Sequence, residues 1–291
     1  MDSQKISYYN EISLMMFGFG DSHTPNPETV RLVESIVLSQ LRLIVQEGLK
    51  HSENNTLKGE HLVFLMRKNK VKMRRFVKYL QHKDMKKHLD SDVVDLTDKP
   101  KPPLLTFIEK MDEFGELMDT NEFDEVKHQR QLRADRISLA LDEQKYIKFA
   151  KARCASFNSK EMSQTRNFEK LRQWIDPKKE VNFTTNSFDV LAYYAYETVA
   201  QIADFAFLAR LDNRRTGDPL GDLSGLYYTG SMFNGEHRFT GLNPDYSRVY
   251  NGQPPFSVNE IKEVMRRIFS PQAGKLCLGR KNTESICIIA V

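Results

Sequence analysis

Between Phe188 and Leu211 the chain is apolar for most of its length, interrupted by Asp189, Glu197, Asp204 and Arg210. Four charges in these 24 residues argue against a membrane span. At 100° per residue, Asn186, Asp189, Glu197, Gln201 and Asp204 fall in a narrow polar stripe, and the rest of the circumference is apolar. The spacing predicts a helix over 187–211, about seven turns long and buried on most sides. Two short neighbours cannot cover such a helix. It needs a second long helix packed against it.

The N-terminal third supplies one. Pro27 at a first helical position and Glu28 in the first turn open a helix. Val30, Val33, Val37, Leu41 and Ile44 then step by three or four residues along one face, toward an end near Gly48 to Asn55. A short apolar segment, Ile12 to Phe19, precedes this helix across a loop. A short helix, Glu60 to Met66, follows it, and a basic helix continues from Lys70 to His88. The C-terminal half repeats the plan. Phe168, Leu171, Trp174 and Ile175 make a short helix stopped by Pro177. The long helix comes next, then Val258 to Phe269, with Ser257 as N-cap and Glu260 three residues on. The expected fold is all-α: two histone folds in one chain, pairing intramolecularly through their long helices. The expected organisation is an N-terminal histone fold over 8–90, a partly helical acidic connector over 91–145, a C-terminal histone fold over 146–270 with a long loop 214–255, and a tail 271–291.

Charge sorts the segments. The whole chain has 43 Lys+Arg and 39 Asp+Glu, net +4, which does not by itself predict nucleic-acid binding. Local runs say more. From Arg67 to His88 there are ten Lys/Arg against one acid, Asp84. Such a helix, with Arg67, Lys68, Arg74, Arg75 and Lys78 as candidates, could contact the DNA backbone. It could equally be a solvated face, or dock on the connector, because Leu89 to Asp142 holds 14 acidic and 7 basic residues. Val71, Phe76, Val77 and Leu80 give the basic helix a buried side in any case. The tyrosines at 193, 194 and 196, with Phe205 and Phe207, read as core at helical spacing.

Enzymatic and metal chemistry find little support. Gly20-Asp21-Ser22 lacks the late Asp-x-x-His that a hydrolase serine of this type needs. Gly18-Phe19-Gly20 lacks a third glycine, and no Gly-Lys-Ser/Thr occurs. Cys154, Cys277 and Cys287 form no Cys-x-x-Cys pair, and the histidines are scattered, so neither a metal nor a cofactor is expected. The first ten residues are polar and charged, unlike a secretory signal.

Several segments, in order, resemble the Spt-three-type subunits of the SAGA transcription coactivator. They include Met15-Met16 with Gly20-Asp21, Phe64-Leu65-Met66-Arg67-Lys68, Gly115-Glu116-Leu117 with Asp124-Glu125-Val126-Lys127, and Trp174-Ile175-Asp176. The most telling is Leu191-Ala192-Tyr193-Tyr194-Ala195-Tyr196-Glu197-Thr198-Val199-Ala200-Gln201, followed by Gly217-Asp218-Pro219. The resemblance implies two histone folds, similar to TBP-associated factors thirteen and eleven. It implies a nuclear, non-enzymatic subunit that binds TBP, helps SAGA deliver it to promoters and meets other SAGA subunits. The alternatives are a histone-fold DNA-binding module using the basic helix, or a pure scaffold without direct TBP contact, and no membrane partner is expected. It makes Glu197, Gln201, Asp204, Gly217 and Asp218 candidate TBP contacts, as an acidic edge meeting a basic face. The plainer reading of Glu197 is a solvated stripe or a partner for Arg266 or Arg267.

Overall fold

Asn26 caps the first long helix by accepting from the Glu28 N–H at 2.9 Å, with Pro27 at the position where a missing N–H costs nothing. That helix, α2 (Pro27–Leu49), follows α1 (Tyr9–Gly18) and leads through a two-residue strand β1 (Thr56–Leu57) to α3 (Gly59–Leu65). A single 3-10 turn, Met66–Lys68, joins α3 to α4 (Lys70–Leu89). Then come α5 (Pro103–Met111), α6 (Glu125–Ala140) and α7 (Glu143–Arg153). The second set is α8 (Gln164–Ile175), β2 (Asn182–Phe183), α9 (Thr185–Arg215) and α10 (Val258–Phe269). This computed structural model describes residues 6–52, 54–89, 101–119, 121–158, 162–215, 254–269 and 288–291.

The two long helices pack on each other, and each is flanked by short helices from both halves: α1, α3, α8 and α10 touch α9, while α1, α3, α8 and α10 also touch α2. Their apolar faces share one core. Val33, Val37, Leu41 and Ile44 of α2 and Val190, Leu191, Tyr194 and Ala195 of α9 are fully buried in it. Burial of that kind is worth about 1.5–3 kcal/mol per large side chain and dominates the stability of such a helix. Tyr194 keeps its hydroxyl satisfied by donating to the Leu62 carbonyl at 2.7 Å, which fastens α9 to α3.

The loops close the pairing at both ends of the long helices. At one end β1 and β2 pair in parallel, Thr56 opposite Asn182 and Leu57 opposite Phe183. Asn54, Asn55 and Lys179 take left-handed backbone at the entries to these strands. At the other end the loop before α2 meets the start of α10. The Thr29 hydroxyl donates to the Phe256 carbonyl at 2.8 Å, and the Phe256 N–H donates to Asp21 Oδ1 at 2.9 Å.

The connector is more than a tether. Phe17 of α1 forms a second small core with Ala134 and Ile137 of α6 and Phe149 and Ala152 of α7. The α7 helix also runs across the expected boundary at 145/146. Of the tail, residues 288–291 are described, and they dock on the N-terminal half. The Ile289 N–H donates to buried Gln40 Oε1 at 2.9 Å, and Lys72 Nζ donates to the Ile289 carbonyl at 2.7 Å. Among the described residues no helix is long and apolar enough to cross a membrane.

Candidate functional site

The polar stripe of α9 is not a solvated edge. Each of its acids has a basic partner from α4 or α6. Asp189 accepts from Lys83 of α4 at 2.6 Å. Glu197, only 5 % exposed, accepts from Arg75 Nη1 of α4 at 3.1 Å and from Arg130 Nη1 of α6 at 3.1 and 3.3 Å. Asp204, two turns further on, accepts from Arg130 Nε at 2.8 Å and from Arg133. Residues 197 and 204 lie seven apart on one helix face, and Arg130 bridges them while Arg133, on the same side of α6, adds a second donor to Asp204.

Asp124 completes the cluster. Its carboxylate takes the fork of Arg75, Oδ2 from Nε at 2.7 Å and Oδ1 from Nη2 at 2.9 Å. The same side chain caps α6 by accepting the Lys127 N–H at 3.1 Å. Three arginines thus face three carboxylates. For Asp124, Arg75 and Arg130, burial works against the charge and pairing overcomes it. Burial alone would raise the Asp124 carboxyl, yet the Arg75 hydrogen bonds and charge hold it below its usual range. Burial alone would lower Arg75 and Arg130, yet their carboxylates keep both guanidiniums above theirs. The cluster holds α6 on α9 and α4, although Arg130 Nη2 is buried and unpaired among the described residues, and removing Glu197 leaves both Arg75 and Arg130 with fewer partners.

The basic helix is largely occupied. Arg74 pairs with Glu122 and donates through Nε to the Glu116 carbonyl at 2.7 Å, and Lys70 pairs with Glu116. Arg75 belongs to the buried cluster. Of the candidate DNA contacts, Arg67, Lys68 and Lys78 have no acidic partner among the described residues. Arg67 donates to the Phe64 carbonyl and lies over the Phe64 ring. Lys70, Arg74 and Arg75 of the basic helix are therefore neutralised by the acidic segment within the chain.

Gln201 sits between Glu197 and Asp204, partly buried, with its amide nitrogen unpaired. Gly217 and Asp218 lie outside the described residues, as does most of the loop 214–255. Arg266 and Arg267 do not reach Glu197. They pair with Glu263 of their own helix, and Arg267 also pairs with Asp212. The expected cap of α10 is present: Ser257 accepts from the Glu260 N–H, and Glu260 accepts from the Ser257 N–H at 2.7 Å. Tyr193, Tyr194 and Phe207 are core, Tyr196 is half-buried against it, and Phe205 is exposed. Sequence reasoning missed Asp124, Arg130 and Arg133. An i,i+3 arginine couple on a helix of the acidic segment was the signal for Arg130 and Arg133, and the N-cap position before that helix was the signal for Asp124.

Comparison with known proteins places this architecture. Residues 6–93 match the family model described as transcription initiation factor IID, 18kD subunit, a histone-fold family. Over 285 residues the chain is 33 % identical to the SAGA complex subunit Spt3 of Drosophila melanogaster, covering 94 % of this chain and 71 % of that protein. It is 23 % identical to the SAGA complex subunit Spt3 of Schizosaccharomyces pombe, covering 91 % and 90 %. The first third also matches transcription initiation factor TFIID subunit 13 of Arabidopsis thaliana, 30 % identical over 102 residues, covering 33 % of this chain and 81 % of that protein.

Proposed function

We propose a specific job for this chain, which belongs to the Spt3 family of SAGA complex subunits and so has a transcription coactivator role: it is a non-enzymatic nuclear adaptor that binds TBP and helps the complex deliver TBP to promoters. The observation that carries this reading is the 33 % identity to a SAGA subunit across 94 % of the chain, both halves and the connector included. The two short–long–short units act as an intramolecular histone-fold pair. They form a rigid helical body on which a partner surface is held in place.

The contact surface proposed is the face where α6 closes over the stripe of α9. Glu197 serves it as a positioning residue at the centre of the cluster. Gln201 and Asp204 lie nearer the rim, and Gly217 and Asp218 join them on the resemblance of the sequence. Other SAGA subunits dock elsewhere on the same body. DNA is a lesser partner, because Arg74 and Arg75 are already paired with carboxylates. Gel filtration of the purified chain with TBP tests the adaptor reading. Co-migration in a stable complex is expected. A folded chain that elutes apart from TBP at micromolar concentrations of both would refute it.

A further inference from the structure

A cleft of about 320 Å³ opens where the end of α1 meets α4, α6, α7 and α9. Glu197 is the one carboxylate in its lining, and both oxygens of that group already accept from Arg75 and Arg130. The rim carries His82, Lys127 and Arg153, all exposed. None of the three has an acidic partner among the described residues. Arg153 makes one long hydrogen bond, to the Gln131 amide oxygen at 3.4 Å. Lys127 and Arg153 therefore make the rim cationic, with no acidic partner of their own among the described residues. The walls are aromatic and held by ring contacts: Phe19 against Tyr196 at 5.1 Å, and Tyr79 against Tyr193 at 4.9 Å between centroids.

We propose that this cleft is a receptor for a short acidic segment of a partner polypeptide, which places an aromatic or aliphatic side chain on the tyrosine walls and an adjacent carboxylate at Lys127 and Arg153. The volume suits one or two side chains and is at the small end of ligand pockets. Glu197 is ion-paired with Arg75 and Arg130, so the cations of the lining that meet no carboxylate among the described residues are Lys127 and Arg153 at the rim, where a single carboxylate can be held. The Arg75 guanidinium is committed to Asp124 and Glu197, and Arg130 meets Asp204 and Glu197 through Nε and Nη1, leaving its buried Nη2 unpaired among the described residues. Preformed aromatic walls lower the ordering cost of binding, and rim cations add specificity and association rate. The cleft lies on the α6–α9 face proposed above for TBP, but the occupant inferred is a separate acidic segment, and its test contains no TBP.

The test is fluorescence anisotropy of the full chain with three labelled octapeptides. One carries the core Asp-Phe-Asp-Leu, one Asn-Phe-Asn-Leu and one Asp-Ala-Asp-Ala, each flanked by Gly-Ser. The first is expected to bind at least tenfold more tightly than either of the others. Lys127→Glu with Arg153→Glu should weaken it at least tenfold at unchanged helicity. Should that double variant lose helicity, Lys127→Gln with Arg153→Gln is used, and a fivefold loss is expected. Inorganic phosphate should compete no better than chloride at equal ionic strength. No binding of the first peptide, equal binding of the three, unchanged affinity in the folded variants, or phosphate-specific competition would each overturn the proposal.

Discussion

Arg75 and Glu197 are 122 positions apart in sequence and meet at 3.1 Å inside the protein, while Asp124 grips the other edge of the same guanidinium at 2.7 Å. One arginine thereby joins the basic helix, the acidic connector and the long helix of the C-terminal half. The connector is locked over α9 by charge at this point and by the Phe17 core at its far end.

Glu197→Ala should destabilise the protein strongly. The side chain is 6 % exposed, and its loss leaves Arg75 and Arg130 buried with fewer partners. Breaking a buried pair in this way costs about 3–5 kcal/mol. Chemical denaturation measures it. Limited proteolysis should also cut faster between α5 and α7, because the lock has gone. Glu263→Gln, at a half-buried position paired with Arg266 and Arg267 on its own helix, should cost far less than that. A Glu197→Ala loss as small as that of Glu263→Gln would refute the lock.

Stability should depend on pH through Asp21. Burial raises this carboxyl to about 6, although the Phe256 and Ser22 N–H groups and the Arg210 charge pull the other way. The folded state therefore keeps a proton that the unfolded chain has released between about pH 4 and 6. Stability falls as pH rises through that window and is level above it. Asp124 and Glu260 have lowered values, so their contributions are present above the ordinary carboxylate range and fade as pH falls. Thermal melts from pH 4 to 7 should show the Asp21→Asn variant gaining on the wild type until about pH 6. A constant difference across that range would contradict the assignment.

Binding of duplex DNA should be weak and shallow in salt, since Arg74 and Arg75 are neutralised internally. Glu116→Gln with Glu122→Gln removes the carboxylates facing Lys70 and Arg74. Each cation released to a phosphate should steepen the slope of log K against log salt by about 0.9. A slope unchanged in the double variant would show that the connector does not shield α4.

Gly18→Ala should cost more than Gly48→Ala. A methyl at Gly18 would stand 2.8 Å from the Ala152 carbonyl oxygen, which is backbone, so α1 and α7 must separate. At Gly48 the closest atom, also at 2.8 Å, is the tip of the Leu57 side chain, which can turn away. Overpacking of the first kind costs about 1–3 kcal/mol. Denaturation midpoints of the two variants give the order, and the reverse order would contradict it.

Much of the fold was legible because helix periodicity reports on burial. The α10 helix lies where Ser257 and Glu260 placed it, and α2 starts at Pro27. The narrow stripe of α9 was legible too, but its surroundings were not. A polar stripe reads as solvated unless its partners are known, and Arg130 and Arg133 were submerged in a segment of strongly negative net charge. The cut at 145/146 fell inside α7 for a similar reason. The contact of Phe149 and Ala152 with Phe17 is long-range, and Gly18, which admits the close approach, leaves no apolar signal. Gly217 and Asp218 lie outside the described residues, and their role rests on the resemblance.

The central claim is that this body binds TBP through the face that Glu197 organises. Titration of TBP against the wild-type chain and Glu197→Gln tests it most directly, with circular dichroism on both. Glutamine keeps the shape and an acceptor while removing the charge. The account predicts saturable binding by the wild type and at least fivefold weaker binding by an equally helical variant. Equal affinities, or no binding by the folded wild type, would contradict it.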